Sequence, residues 1–395
     1  MFSSFLNYLK MKKHINIFCF LLFVIILYDC KSHKTKKKLE LPEIEIGDAF
    51  SINKVISLDK FIQDSIEYIP LETIENFIIG GPTRVYVSNS NILVFSFRQI
   101  FLFDRKDGSF IREIGSYDKG PDGYLATLFC FPFDPASNKI YATGWDRSYV
   151  SYNFEGKFLK KYNRPEGSTS MGALNDSTLV SSIRNFTGNE NRRLVVFTNQ
   201  DIINTFPNSN IAEPRTAIGG PPPGWFYRFG EELRYFEIFN DTIYRITEYE
   251  LIPKYVFQMG SFAPPYEKQN TIDFVKHEAE NYFRVLYIFE SEYFLVYEVM
   301  HDHSSFQGIY NKKTMGTYKA STRYGFKNDI DDFLPLKYTS VSSQGELIGV
   351  LEAWEIEQWF KDNPEKAAQF PPHLKKLENI TENDNPVVMI AKLKE

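Results

Sequence analysis

The sequence predicts an all-β fold, a six-bladed β-propeller of four-stranded antiparallel blades with a short helical insertion in the last blade. Three observations predict it. From about Ile66 onward, short apolar-alternating runs are cut by polar turns. The turns Asp107-Gly108 and Glu155-Gly156 stand about 48 residues apart, and propeller repeats run at about 40–50 residues. Aromatic residues make up 16% of the 395-residue chain, with 36 Phe and 24 Tyr. Such side chains fit a pleated, half-buried surface.

The N-terminus reads as an export segment. Lys12 and Lys13 precede the apolar run Ile15–Tyr28, which is shorter than the ~20 residues a spanning helix needs. A basic start followed by such a run is the pattern of a secretory signal, and Met11 opens it more naturally than Met1. The run ends Leu27-Tyr28-Asp29-Cys30, which resembles a bacterial lipobox, with Asp29 where Gly, Ala or Ser is usual. That resemblance implies lipidation of Cys30 and a stable membrane anchor, since two or more acyl chains hold where one binds marginally. Residues 1–30 are therefore expected to be the signal and residues 31–55 a flexible basic tether, with the propeller over 56–395. The run Lys34-Thr35-Lys36-Lys37-Lys38 is basic, and it points to the periplasmic face of the outer membrane. The three cysteines are Cys19, Cys30 and Cys130. Processing leaves Cys130 alone as an ordinary side chain, a buried small hydrophobe.

The first blade is the clearest. Arg84–Val87, Ile92–Phe97, Ile100–Asp104 and Ser109–Ile114 read as four strands, the last two joined through Asp107-Gly108, a strong hairpin signal. Leu128–Phe133, Lys139–Ala142, Tyr149–Asn153 and Lys157–Tyr162 repeat the pattern. Ser177–Ile183 and Arg193–Phe206 belong to a third unit, turning at Asn199-Gln200-Asp201. Leu233–Ile238, Thr242–Thr247 and Lys254–Gln258 belong to a fourth, and Tyr282–Ile288, Tyr293–Val299 and Gln307–Tyr318 to a fifth. Tyr338–Ser342 and Glu346–Leu351 open the sixth, and Pro386–Lys392 adds a C-terminal strand. Between Trp354 and Asn383 the period changes to that of two short helices broken at Pro371-Pro372, an insertion over about 354–383. A ring must close to remove its sticky edges. The early strand Ile66–Glu72 is expected to pair into the last blade and seal it.

Three stretches carry a family resemblance. Ser65–Glu72 (SIEYIPLE), Ile114–Tyr124 (IGSYDKGPDGY), and Asn328–Asp332 followed by Glu346–Val350 are similar to the opening strand, a Gly/Pro segment and the closing blade of a family of lipoproteins. That family is the six-bladed β-propeller lipoproteins of Gram-negative gut and oral bacteria, NHL-like in architecture. Asp118 and Asp122-Gly123 depart from its pattern, though Asp tolerates the same turn geometry. The resemblance spans roughly Ile66–Lys392. It implies a binding role and carries over no catalytic residue.

Candidate chemistry is sparse. Gly115, Tyr117, Asp118, Gly120, Pro121 and Tyr124 form a candidate ligand loop. A plainer reading, a crossover between blades one and two, takes precedence. Ile218–Trp225 echoes it. Neither is a phosphate loop, as no Gly-Lys-Ser/Thr follows. His301 and His303, or Asp329, Asp331 and Asp332, are the candidate metal ligands, the aspartates for Ca²⁺. No spacing nominates a full ligand set, and no cofactor is expected. Ser65, Ser177 and Thr242 each follow an Asp in the pattern of O-glycosylation acceptors. The net charge of −5 gives no footprint for nucleic acid. The function expected is an envelope-anchored monomeric binding or scaffold module for a glycan, peptide or protein partner. The alternative is a metal-dependent lyase or lactonase with its site at the central channel. Convergence of three or more His, Asp or Glu side chains there would separate the two.

Overall fold

The computed structural model describes residues 41–395 except 75–77, 80–83, 97, 127–132, 135–136 and 217–223. The signal run, Cys30 and the tether up to residue 40 lie outside the described residues, as do Cys130 and most of the strand expected over 128–133. From residue 42 the assigned tether is folded. β1 (Glu43–Ile44), α1 (Ile46–Ser51) and β2 (Val55–Ile56) precede β3 (Ile62–Pro70). Buried Ile44, Ile46 and Ala49 dock this strap. β1 and β2 each add a parallel edge strand to a later blade. The tether assignment was therefore too long, because two-residue strands leave almost no alternation to see.

Six four-stranded antiparallel blades follow, the first five in chain order from the inner strand outward and the sixth closed by β3. Blade one is β4 (Arg84–Val87), β5 (Asn91–Phe95), β6 (Ile100–Asp104) and β7 (Phe110–Glu113). Blade two is β8 (Phe133–Asp134), β9 (Lys139–Thr143), β10 (Tyr149–Tyr152) and β11 (Phe158–Tyr162). Blade three is β12 (Ser168–Ala173), β13 (Leu179–Ile183), β14 (Arg192–Phe197) and β15 (Ile202–Pro207). Blade four is β16 (Gly224–Phe229), β17 (Glu232–Glu237), β18 (Thr242–Ile246) and β19 (Leu251–Phe257), with β1 on its outer edge. Blade five is β20 (Arg284–Glu290), β21 (Phe294–His301), β22 (Ser304–Asn311) and β23 (Gly316–Ala320), with β2 outermost. Blade six is β24 (Tyr338–Val341), β25 (Glu346–Leu351) and β26 (Val387–Leu393), completed by β3.

The expected ring closure is present. β26 and β3 pair antiparallel from Val387 opposite Pro70 to Leu393 opposite Ile62. The helical insertion joins β25 to β26. It comprises α2 (Ala353–Asp362), α3 (Pro364–Ala367) and α4 (Pro372–Lys375), so Pro364 starts a third short helix where two were expected. A reciprocal capping box between Glu352 and Glu355 opens α2. Trp359 stacks on Phe370 at 4.9 Å, and Phe333 packs edge-on to both.

Neighbouring blades interlock through buried polar groups as well as apolar cores. Ser170 donates to the Gly224 carbonyl at 2.7 Å, between blades three and four. Gln307 holds both backbone groups of Tyr338, donating to its carbonyl at 2.8 Å and accepting from its N–H at 3.0 Å. The buried groups of Ser170, Gln307 and Tyr338 are thereby paired.

Candidate functional site

The inner strands β4, β8, β12, β16, β20 and β24 run the same way along the axis. Their N-terminal ends meet the crossovers from the preceding blades. Their C-terminal ends open into a cavity of about 620 Å³. Tyr86, Phe133, Tyr227, Phe289 and Val341, drawn from five blades, line it below a rim that includes Ser343 and Gln344.

One side-chain layer beneath lies a cation. Each aromatic lining residue of β4, β16 and β20 is two positions beyond a second residue on the same strand face. Those residues are Arg84, Trp225 and Tyr287. The Arg84 guanidinium carbon lies 4.7 Å from the ring centroids of both Trp225 and Tyr287. Blades one and four are opposite each other in a six-membered ring, so this contact can occur only across the axis. Trp225 is fixed by its indole N–H, which donates to the Ile288 carbonyl at 3.0 Å. Its ring meets Tyr287 at 5.0 Å and Phe289 at 5.9 Å. Among the described residues no carboxylate pairs with Arg84.

The buried acid at the mouth, Glu290, is already engaged. The Glu290 side chain is wholly buried and accepts from Tyr227 at 3.2 Å, Arg234 at 3.1 Å, Tyr255 at 2.9 Å and Lys312 at 2.7 Å. Burial holds the Lys312 amine below its ordinary value, against the pull of Glu290. Burial and the Glu290 charge both push the Tyr227 phenol well up. Burial likewise pushes the Tyr86 phenol up to about 12. A carboxylate held by four donors is a strut between blades four and five rather than a free base.

The structure scatters the metal-ligand candidates. His301 is packed edge-on among Phe50, Phe262 and Phe283. His303 is at the exposed hairpin tip, 3.9 Å from Glu280. Asp329 accepts from the Asp59 N–H, Asp331 from the Tyr68 hydroxyl, and Asp332 pairs with Lys366. Among the described residues no three His, Cys, Asp or Glu side chains group closely enough to hold a metal ion. The aspartates fail to converge because each caps or pairs a different neighbour in one turn.

The loop carrying Gly115, Tyr117, Asp118, Gly120, Pro121 and Tyr124 connects β7 to β8, at the end of the ring opposite the mouth. Asp118 closes it by accepting from Ser116 at 2.5 Å and the Gly120 N–H at 2.6 Å. These bonds hold the Asp118 carboxyl below its usual range. Tyr124 is fully buried, while Tyr117 packs on Trp145 at 5.7 Å. Most of Ile218–Trp225 lies outside the described residues, and Gly224 and Trp225 begin β16. Ser65 and Ser177 face solvent, and the Thr242 hydroxyl donates to Asp241 at 2.6 Å.

Sequence reasoning missed Arg84, Trp225 and Tyr287 as a group. The available signal was topological, because the first strand of every repeat lines the axis. Two of those strands were not identified.

Fold and site together define a six-bladed β-propeller with an aromatic-lined mouth at one end of its axis. The chain belongs to the family described as a domain of unknown function (DUF4934), which matches residues 41–392. It is similar to a protein of Bacteroides fragilis NCTC 9343 whose crystal structure is described as that of an exported protein. The two share 20% identity at a TM-score of 0.67, over 86% of this chain and 97% of that one. At that identity the likeness shows the fold. A structure described as the extracellular domain of a one-component system of B. thetaiotaomicron aligns at a TM-score of 0.36 and 12% identity, over 72% of this chain and 32% of that one. No curated protein matches the chain. Among the described residues, no helix is long and apolar enough to cross a membrane.

Proposed function

We propose that the protein is an envelope-anchored binding module that takes a glycan, peptide or protein partner at the channel mouth. The observation that carries this reading is the mouth itself. It has the size of a small-ligand site, with aromatic walls and a few polar groups at its rim. Its buried acid is saturated with donors, which suits a rigid receptor better than proton-transfer chemistry. The anchor is Cys30, lipidated at the outer membrane and held at the periplasmic face, and the protein works as a monomer.

Two measurements test this. A panel of glycans and peptides is screened against the full chain and against Ser343→Trp, which fills the exposed rim of the mouth. Every ligand that binds the native chain is expected to lose at least tenfold in affinity on the variant; equal binding to both places the site elsewhere. For the anchor, Cys30→Ala is expected to move the protein from the membrane fraction to the soluble one. Mass spectrometry that finds the segment before Cys30 intact and unacylated refutes lipidation.

A further inference from the structure

We propose that Arg84, one side-chain layer beneath the mouth, is a carboxylate-reading point, and that the ligand is an acidic sugar with a single carboxylate, a hexuronate. The proposal rests on the channel mouth being the binding site. Its first support is charge. Arg234 and Lys312 are matched by Glu290, and Arg234 also by Glu232. Arg84 meets the rings of Trp225 and Tyr287 and the Tyr86 phenol, and among the described residues no carboxylate pairs with it. A half-buried cation without a counter-ion attracts an anion, because low-dielectric walls focus its field.

The second support is geometry. Trp225 and Tyr287 each turn a ring face to the planar guanidinium fork at 4.7 Å, with the Tyr86 phenol beside it on β4. That fork accepts a carboxylate through two parallel hydrogen bonds. Rotation is restrained because Trp225 is itself tied to Ile288. The site is therefore preorganised before any ligand arrives.

The third support is the layer above. Tyr86, Phe133, Tyr227 and Phe289 present flat apolar surfaces, and Ser343 and Gln344 present a hydroxyl and an amide at the rim. A pyranose ring has the complementary pair of features, C–H faces for the aromatics and hydroxyls for the rim. The cavity of about 620 Å³ lies within the range of small-ligand sites. Glu231 and Glu292 also line the mouth. They disfavour a multiply charged anion and leave a single carboxylate, set deep against Arg84, as the charge pattern that fits.

The test is calorimetric titration of the full chain with galacturonate, which carries one carboxylate, and with its methyl ester, which keeps the ring without the charge. Tryptophan fluorescence is read in parallel, because Trp225 lies against the proposed carboxylate. The acid is expected to bind at least ~10-fold more tightly than the ester. Arg84→Gln is expected to erase that preference by bringing the affinity for the acid down to that for the ester, and Arg84→Lys to restore part of it. Circular dichroism verifies that each variant is folded, and the acid–ester comparison needs no variant at all. Equal affinity for acid and ester overturns the proposal, as does an acid preference that survives Arg84→Gln. If Ser343→Trp still abolishes ester binding in that case, the mouth remains the binding site and only the anionic assignment fails. Binding of neither uronate compound, with short peptides binding through a free C-terminal carboxylate, overturns the sugar assignment.

Discussion

Gly108 shows how much one backbone position carries. Its φ is +77°, and a Cβ there would lie 2.0 Å from the Pro70 carbonyl oxygen. The Glu72 N–H donates to the Gly108 carbonyl at 2.9 Å, so the turn of blade one leans directly on the strand that closes blade six. Gly230 also has a positive φ, +55°, but a Cβ there meets nothing within 4 Å. The pair separates dihedral strain from close approach. Gly230→Ala is expected to cost about 1 kcal/mol, the left-handed penalty alone. Gly108→Ala is expected to cost about 3 kcal/mol or more, because backbone must also move. Urea unfolding of both variants checks this, and equal losses would mean the closing strand yields freely. Glu290 makes a second case. Removing it as Glu290→Ala leaves Arg234, with a side chain 4% exposed, and Lys312 without their shared counter-charge. The expected loss is about 3–5 kcal/mol. A loss below about 1 kcal/mol would show that the network is not holding blades four and five together.

At the scale of elements, legibility followed side-chain chemistry. Blade one was readable nearly to the residue, since Ile92–Phe95 and Ile100–Phe103 are short continuous apolar runs bounded by polar residues, and Asp107-Gly108 marks the turn between the outer strands. β12, Ser-Thr-Ser-Met-Gly-Ala, was invisible because its small polar residues look like a loop. In the fold they are satisfied internally: Ser170 pairs with Ser182 at 2.7 Å, and Ser181 donates to the Ser170 carbonyl at 2.8 Å. β16 follows a Pro-rich run and was read as part of a crossover. Missing these inner strands hid the mouth, because a channel is assembled only from strands of different repeats. The strap was missed for a different reason: its hold on the edges of blades four and five comes from parallel backbone pairing and three buried side chains. Through it the Val256 N–H donates to Pro42 and the Gln258 N–H to Ile44. Ile44→Ala is expected to weaken the strap by about 2–5 kcal/mol. Hydrogen exchange at Val256 and Gln258 should then accelerate at least ~30-fold, while the inner strands keep their protection. Unchanged exchange at those two amides would show that the edge of blade four is protected without the strap.

For the whole molecule, closure and tyrosine burial are linked. The ring is sealed by a strand from near the start of the folded chain pairing with one from its end, β3 on β26. Blade-to-blade packing around that ring encloses aromatic side chains on both sides of each sheet. Tyr124, Tyr141, Tyr149, Tyr152, Tyr162, Tyr227, Tyr235 and Tyr310 are among its largest fully buried side chains. Burial pushes the Tyr86 phenol up to about 12 and holds those of Tyr227, Tyr235 and Tyr338 well above the ordinary value. The sign follows from linkage. A phenol whose folded pKa exceeds its unfolded value of about 10 keeps its proton in the fold and loses it on unfolding. Stability from these groups is therefore complete below about pH 10 and falls as pH rises from there towards 12. Because several phenols share the effect, the chain is expected to unfold cooperatively before Tyr86 reaches its own midpoint. Phenolate absorbance should then rise in two stages. The second stage should be a steep step coincident with loss of the near-ultraviolet circular dichroism signal. One smooth titration near pH 10 with the tertiary signal intact would mean that water reaches the phenols without the ring opening.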